Sequence, residues 1–112
     1  MGVQKDAGEL LGLFYKKLVD EGKQSFNTQD VLDETKWESK KINLAYHYLN
    51  DMGILKGSLT MGNIDGAHNF FVMGLTPEGI NIVENEPQFK KHFGFLIGIP
   101  GVFQFSWGKT EK

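Results

Sequence analysis

The three histidines are the side chains of this 112-residue sequence best suited to metal or acid–base chemistry. His47, His68 and His92 are widely spaced, and none forms the two-histidine helical motif, with an acid between, that a zinc hydrolase uses. The chain has no cysteine, which excludes a thiol nucleophile, a disulfide scaffold and cysteine-ligated zinc or iron–sulfur sites. We therefore expect no metal site.

Motifs for catalysis and nucleotide binding are also missing. Gly62 and Gly66 are not followed by the Lys-Ser or Lys-Thr pair that a phosphate-binding loop requires. The serines and threonines lack a nucleophile-elbow setting, and Glu84 and Glu86 have no partner histidine. We expect no enzymatic activity and no cofactor.

Lysines give one segment of the chain a positive charge. Residues 36–56 carry four lysines and two acids, a net charge of +2, whereas residues 1–35 sum to −3 and residues 57–112 to −1. The whole chain has a net charge of −2, so no global field drives it onto nucleic acid or an anionic membrane. Binding to a polyanion would have to use the segment 36–56.

The elements that position this segment follow from the spacing of apolar residues. Steps of three and four residues predict an amphipathic helix over 6–21, with Asp6 and Glu9 as a capping box. A second helix of about two turns follows, capped by Asn27 or Thr28.

The third predicted helix, 38–52, has the strongest periodicity in the chain. Its apolar stripe comprises Ile42, Ala45, Tyr46, Leu49 and Met52. At 100° per residue, the opposite side presents Lys40, Asn43, Leu44, His47 and Asp51. The positive segment therefore lies on a helix with one outward polar face.

Two strands and a fourth helix should follow. Residues 54–61 and 68–75 predict an antiparallel hairpin with a glycine-rich loop over 62–66. Thr76 and Pro77 are typical of a helix start, and Pro87 should break or restart that helix.

The C-terminal segment differs from the rest because residues 93–108 carry no formal charge. A central Pro100-Gly101 pair favours a turn between two aromatic strands. We expect residues 93–112 to form a hairpin and tail after a domain of residues 1–92. Residues 93–107 would pack on that domain, form a homodimer interface, or anchor at a membrane surface. With no secretion signal and no membrane span, we expect a cytoplasmic protein.

This order of elements resembles the winged helix-turn-helix superfamily. Two stretches account for the resemblance. Residues Tyr46 to Leu55 are similar to the end of a recognition helix that leads into a wing, and Leu75 to Ile80 are similar to the start of the helix after the wing. The layout also resembles that of small YjcQ-like winged-helix proteins of bacteria and phages. The resemblance implies an α+β fold of three helices, a two-stranded wing and a fourth helix, followed here by the aromatic hairpin.

The resemblance also implies how the third helix could meet double-stranded DNA, since many winged helices place it in the major groove. Lysines would contact phosphates, Asn43 an adenine edge, and His47 a phosphate or a guanine acceptor. The candidate DNA-binding residues are Lys36, Ser39, Lys40, Lys41, Asn43 and His47.

Two functions from different classes remain open. The resemblance favours a non-enzymatic DNA-binding protein, a transcriptional regulator that acts as a homodimer. However, the chain contains no arginine, the residue that most often reads guanine, and residues 57–71 contain no lysine to hold a phosphate. A winged helix used as a protein-interaction module would explain both absences.

Overall fold

A computed structural model describes residues 2–94 of the chain, which form five helices and three strands. In chain order these are α1 (Val3–Glu21), β1 (Phe26–Asn27), α2 (Thr28–Thr35), α3 (Ser39–Asp51), β2 (Leu55–Ile64), β3 (Ala67–Leu75), α4 (Pro77–Val83) and α5 (Glu86–Phe93). The predicted α+β class is therefore confirmed. Within residues 2–94, none of the helices has the length and apolar character needed to cross a membrane.

The three strands form one antiparallel sheet in the order β1-β3-β2. The β2–β3 hairpin agrees with the predicted strand pair, but β1 was not predicted. In β1, Phe26 pairs with Val72 and Asn27 with Phe71. Two residues are too few to show the alternation that identifies a strand in a sequence.

The hairpin turn is shorter than the predicted loop over 62–66. Strand β2 continues to Ile64, which pairs with Ala67, so the turn consists of Asp65 and Gly66. Both turn residues have positive φ, 51° and 88° respectively, as two-residue type I′ hairpin turns require. The predicted loop was too long because Asp-Gly alone closes the hairpin.

The starts of α1 and α2 are set by different caps. Helix α1 begins at Val3, one turn before the predicted start, and the Asp6 backbone N–H already donates to Gly2. Asp6 is thus inside the first turn, and the predicted box of Asp6 with Glu9 is wrong. At α2 the box is real: Asn27 Oδ1 accepts from the Asp30 backbone N–H at 2.9 Å, and Asp30 Oδ2 accepts from that of Asn27 at 3.0 Å.

Helices α4 and α5 show where the fourth predicted helix is interrupted. Thr76 caps α4 by accepting from the Gly79 backbone N–H at 3.1 Å, and a second helix containing Pro87 in its first turn follows. Phe93 is the last residue of α5 and is buried, so its predicted place in a strand is wrong. The rest of the predicted hairpin, 95–107, lies outside the described residues.

The core lies between α1, α3 and the sheet. Its largest fully buried side chains include Leu10, Leu11, Phe14, Ile42, Tyr46, Leu49 and Phe70. Three of these side chains come from α1 and three from α3, so the apolar stripe predicted for the third helix faces this core. The opposite side of α3 is therefore available to form a functional surface.

Candidate nucleic-acid interface

The orientation of α3 is set by its buried stripe. Ile42, Ala45, Tyr46 and Leu49 are buried, as predicted, and the Glu38 N-cap makes no side-chain capping bond. On the outer side, Lys40 and Asp51 are exposed and Leu44 is 43% exposed. This exposed face is where the sequence analysis predicted DNA-binding residues.

The tip of the β2–β3 hairpin is tied to the first half of α3 by Asn43. Asn43 Nδ2 donates to the Gly66 carbonyl oxygen at 3.3 Å, and Asn43 Oδ1 accepts from the His68 backbone N–H at 2.7 Å. One turn earlier, Ser39 lies so close that a Cβ atom on Gly66 would be 2.9 Å from the Ser39 Oγ atom. Helix and hairpin tip thus form one continuous surface, which we call the α3–tip surface.

A second contact links the same two elements. The His47 Nε2 and His68 Nδ1 atoms are 3.1 Å apart, and the ring centroids are 5.3 Å apart at an interplanar angle of 72°. His47 was a predicted site residue, but His68 was missed because it is 21 positions away in sequence. Only the register of the hairpin reveals that the two rings meet.

The predicted lysines fall into two groups. Lys36, at the C-cap of α2, and Lys40 are exposed, and within residues 2–94 neither has an acidic partner within ion-pair distance. The Lys41 Nζ atom, in contrast, is 3.6 Å from Asp6 Oδ1 and 4.2 Å from the centre of the Trp37 ring. Of the three predicted lysines, Lys36 and Lys40 are therefore more available to a phosphate than Lys41.

Acidic residues lie beside these lysines. An open groove of about 590 Å³ between the starts of α1 and α3 is lined by Lys5, Asp6, Glu9, Glu38, Lys40, Lys41 and Leu44. Lys5 Nζ donates to Glu9 Oε2 at 2.7 Å, and this hydrogen bond raises the pKa of the Lys5 side chain. The three carboxylates lower the positive potential that the lysines create.

The structure therefore divides the six predicted site residues by their contacts. Ser39, Asn43 and His47 contact the hairpin, Lys36 and Lys40 are exposed, and Lys41 faces α1. Asn43 uses one N–H and one lone pair of its amide on the hairpin, which leaves a single N–H and a single lone pair for an adenine edge. Sequence periodicity identified the outward side of α3 but not these contacts between elements.

Comparisons with known proteins add no relative from which a function could be transferred. The chain matches no protein-family model, and comparisons with curated proteins and with solved structures give no significant match. A function for this chain can therefore be inferred from the geometry of the α3–tip surface.

Proposed function

We propose that this protein is a winged helix-turn-helix protein that binds double-stranded DNA and catalyses no reaction. Helix α3 would enter the major groove, with the β2–β3 hairpin as the wing and transcriptional regulation as the biological role. The observation that carries the proposal is the double hydrogen bond of Asn43, because it fixes the hairpin tip beside the recognition helix. A helix and a wing held in one orientation can meet the same duplex together.

The contacts of each residue suggest its role. Lys36 and Lys40 bind phosphates, and the Ser39 hydroxyl lies beside Gly66 at the hairpin tip. Lys41 joins them only if it leaves Asp6. Asn43 and His47 act as positioning residues for the wing. Two or three phosphate contacts correspond to a slope of log affinity against log salt of about −2 to −3 per protomer.

Fluorescence anisotropy with a labelled duplex pool, measured over a range of salt concentrations, tests the proposal. The double variant Lys36→Ala/Lys40→Ala should bind at least about tenfold more weakly, with a salt slope shallower by about 2. The matched control is Lys90→Ala/Lys91→Ala, which removes the same charge from exposed positions on α5. Absence of binding at low salt, or an equal loss in the control, would contradict DNA binding through α3.

A protein-interaction module is the second candidate, and exposed apolar side chains favour it. Leu44 on α3 is 43% exposed and Met61 near the hairpin tip is 92% exposed, while Asp6 and Glu38 lie beside the lysines. Such a mixed surface suits a protein partner better than a polyanion. An absence of salt-sensitive duplex binding would favour this function.

The proposal includes a homodimer through residues 95–107, because Phe93 is buried at the end of α5. Two copies would double the number of phosphate contacts and compensate for the few lysines in each chain. Light scattering on the full chain should give twice the monomer mass. A monomer at micromolar concentration would contradict the dimer without affecting the assignment of α3.

A further inference from the structure

We propose that His47 and His68 together bind a divalent late transition-metal ion of the Zn²⁺ and Cu²⁺ class, which links the β2–β3 hairpin to α3. The two histidines come from different elements, yet their Nε2 and Nδ1 atoms are 3.1 Å apart. Imidazole nitrogen is the commonest protein ligand for these ions. The proposal does not depend on whether the protein binds DNA.

The distance between the two nitrogens suits one shared ion. Metal–nitrogen bonds to histidine are about 2.0–2.1 Å long, so nitrogens separated by 3.1 Å correspond to an angle of roughly 100° at the metal. That angle lies between the right angle of a square-planar Cu²⁺ site and the wider angle of a tetrahedral Zn²⁺ site. The same 3.1 Å separation is that of a hydrogen bond between the rings, so the ion would take the place of the shared proton, and the exposed His68 ring would turn to face it.

The surrounding contacts hold this arrangement in place. Asn43 lies one turn before His47 on α3 and accepts a hydrogen bond from the backbone of His68 at 2.7 Å. The two histidine backbones are thus kept together by a bond that does not involve their rings. His68 is exposed, so its ring can turn to direct Nδ1 at an ion. A site that is already assembled loses little conformational entropy on binding.

The described residues supply two ligands to this ion, fewer than a complete coordination shell. Within residues 2–94, no group of three histidine, aspartate or glutamate side chains gathers as a metal-binding set. Water molecules would therefore occupy the remaining positions, and the ion would exchange with solvent, unlike the closed four-ligand sites of structural zinc. Affinity should follow the usual order, with Cu²⁺ bound more tightly than Zn²⁺.

Isothermal titration of the untagged full chain with ZnCl₂ tests the proposal. We expect one ion per chain, with affinity reduced at least tenfold in His47→Ala and in His68→Ala. The matched control is His92→Ala, because His92 lies on α5, away from the pair. Control and unaltered protein should bind equally. No stoichiometric binding, or equal binding by all variants, would overturn the proposal.

A second measurement uses the unaltered chain and so does not depend on the folding of a variant. In ¹H–¹⁵N NMR spectra, substoichiometric paramagnetic Ni²⁺ should broaden the amide signals of His47 and His68 first. Signals of α5, including that of His92, should keep their intensity. Broadening centred on His92, or spread evenly over the spectrum, would show that the two histidines do not hold the ion.

Discussion

The ring of Tyr46 on α3 lies flat against the ring of Phe70 on β3, with centroids 4.2 Å apart and an interplanar angle of 5°. This stacked pair joins the proposed recognition helix to the central strand of the sheet. Tyr46 is fully buried, but within the described part of the chain its hydroxyl group has no hydrogen-bond partner. The tyrosine therefore contributes to packing through its ring and not through its hydroxyl.

Replacing Tyr46 by phenylalanine should therefore not lower the stability of the fold. The change removes a buried polar group without a partner, so we expect the free energy of unfolding to stay constant or to rise by about 1 kcal/mol. Tyr46→Ala, which also removes the ring, should lower it by about 3–5 kcal/mol. Urea denaturation of the three proteins measures both changes. A loss above about 1 kcal/mol in Tyr46→Phe would indicate that the hydroxyl is hydrogen-bonded after all.

Gly57 provides a related prediction, because a Cβ atom at this position would lie 2.7 Å from the Tyr46 hydroxyl oxygen. Gly57→Ala should therefore lower the free energy of unfolding by about 1–3 kcal/mol, the usual cost of overpacking. Combining it with Tyr46→Phe removes the closest contact and leaves ring carbons at 3.1 and 3.3 Å. The double variant should recover part of the loss in urea denaturation. Additive losses would show that the clash is not with Tyr46.

Asn43→Ala should loosen the hairpin tip without unfolding the protein. The change removes both bonds between Asn43 and the hairpin, worth about 1 kcal/mol each. We expect faster hydrogen exchange of the His68 amide, which has lost its acceptor. The control is Asn81→Ala on the exposed side of α4. Unchanged exchange at His68 would mean that Asn43 does not hold the tip.

Alkaline pH should destabilise the fold through its buried tyrosines. Burial first, and then the 2.6 Å hydrogen bond to Glu84 and the charge of that carboxylate, raise the pKa of Tyr15. Burial also raises the pKa of Tyr46. The folded state therefore holds these protons more tightly than the unfolded state. Their contribution to the free energy of unfolding is complete below about pH 10, the pKa of tyrosine in the unfolded state. It is lost as the pH rises above that value.

The free energy of unfolding should fall by about 1.4 kcal/mol per pH unit for each tyrosine that ionises only on unfolding. Chemical denaturation between pH 8 and pH 12 measures this slope. In the Tyr15→Phe variant the slope of the free energy of unfolding against pH should be shallower, because one of the two contributing tyrosines is gone. A slope equal to that of the unaltered protein would show that Tyr15 ionises equally well in both states.

The sequence predicted most elements because their signals are local. The stripe of Ile42 and Leu49 fixes the buried face of α3, and Thr76 with Pro77 marks the start of α4. Such signals depend on neighbours within a few residues. Their agreement with the structure explains why the positive segment was correctly placed on an outward helix face.

The contacts at the candidate site could not be predicted in the same way. Asn43 and His68 are 25 positions apart, and their meeting depends on the register of β2 and β3, which shifts between Leu59 and Asn63. A shift of one residue reverses the face on which each strand side chain lies. The pairing of His47 with His68 follows from that register and from no pattern within either element.

The two ends of the described chain meet, and this affects how the protein should be labelled. Gln4 Nε2 donates to the His92 carbonyl oxygen at 2.7 Å, which places the end of α5 beside the start of α1. The start of α1 also approaches α3, where Asp6 faces Lys41. A bulky fluorescent fusion at the N-terminus would therefore stand near the groove between α1 and α3. Small dyes are preferable for any binding assay on this protein.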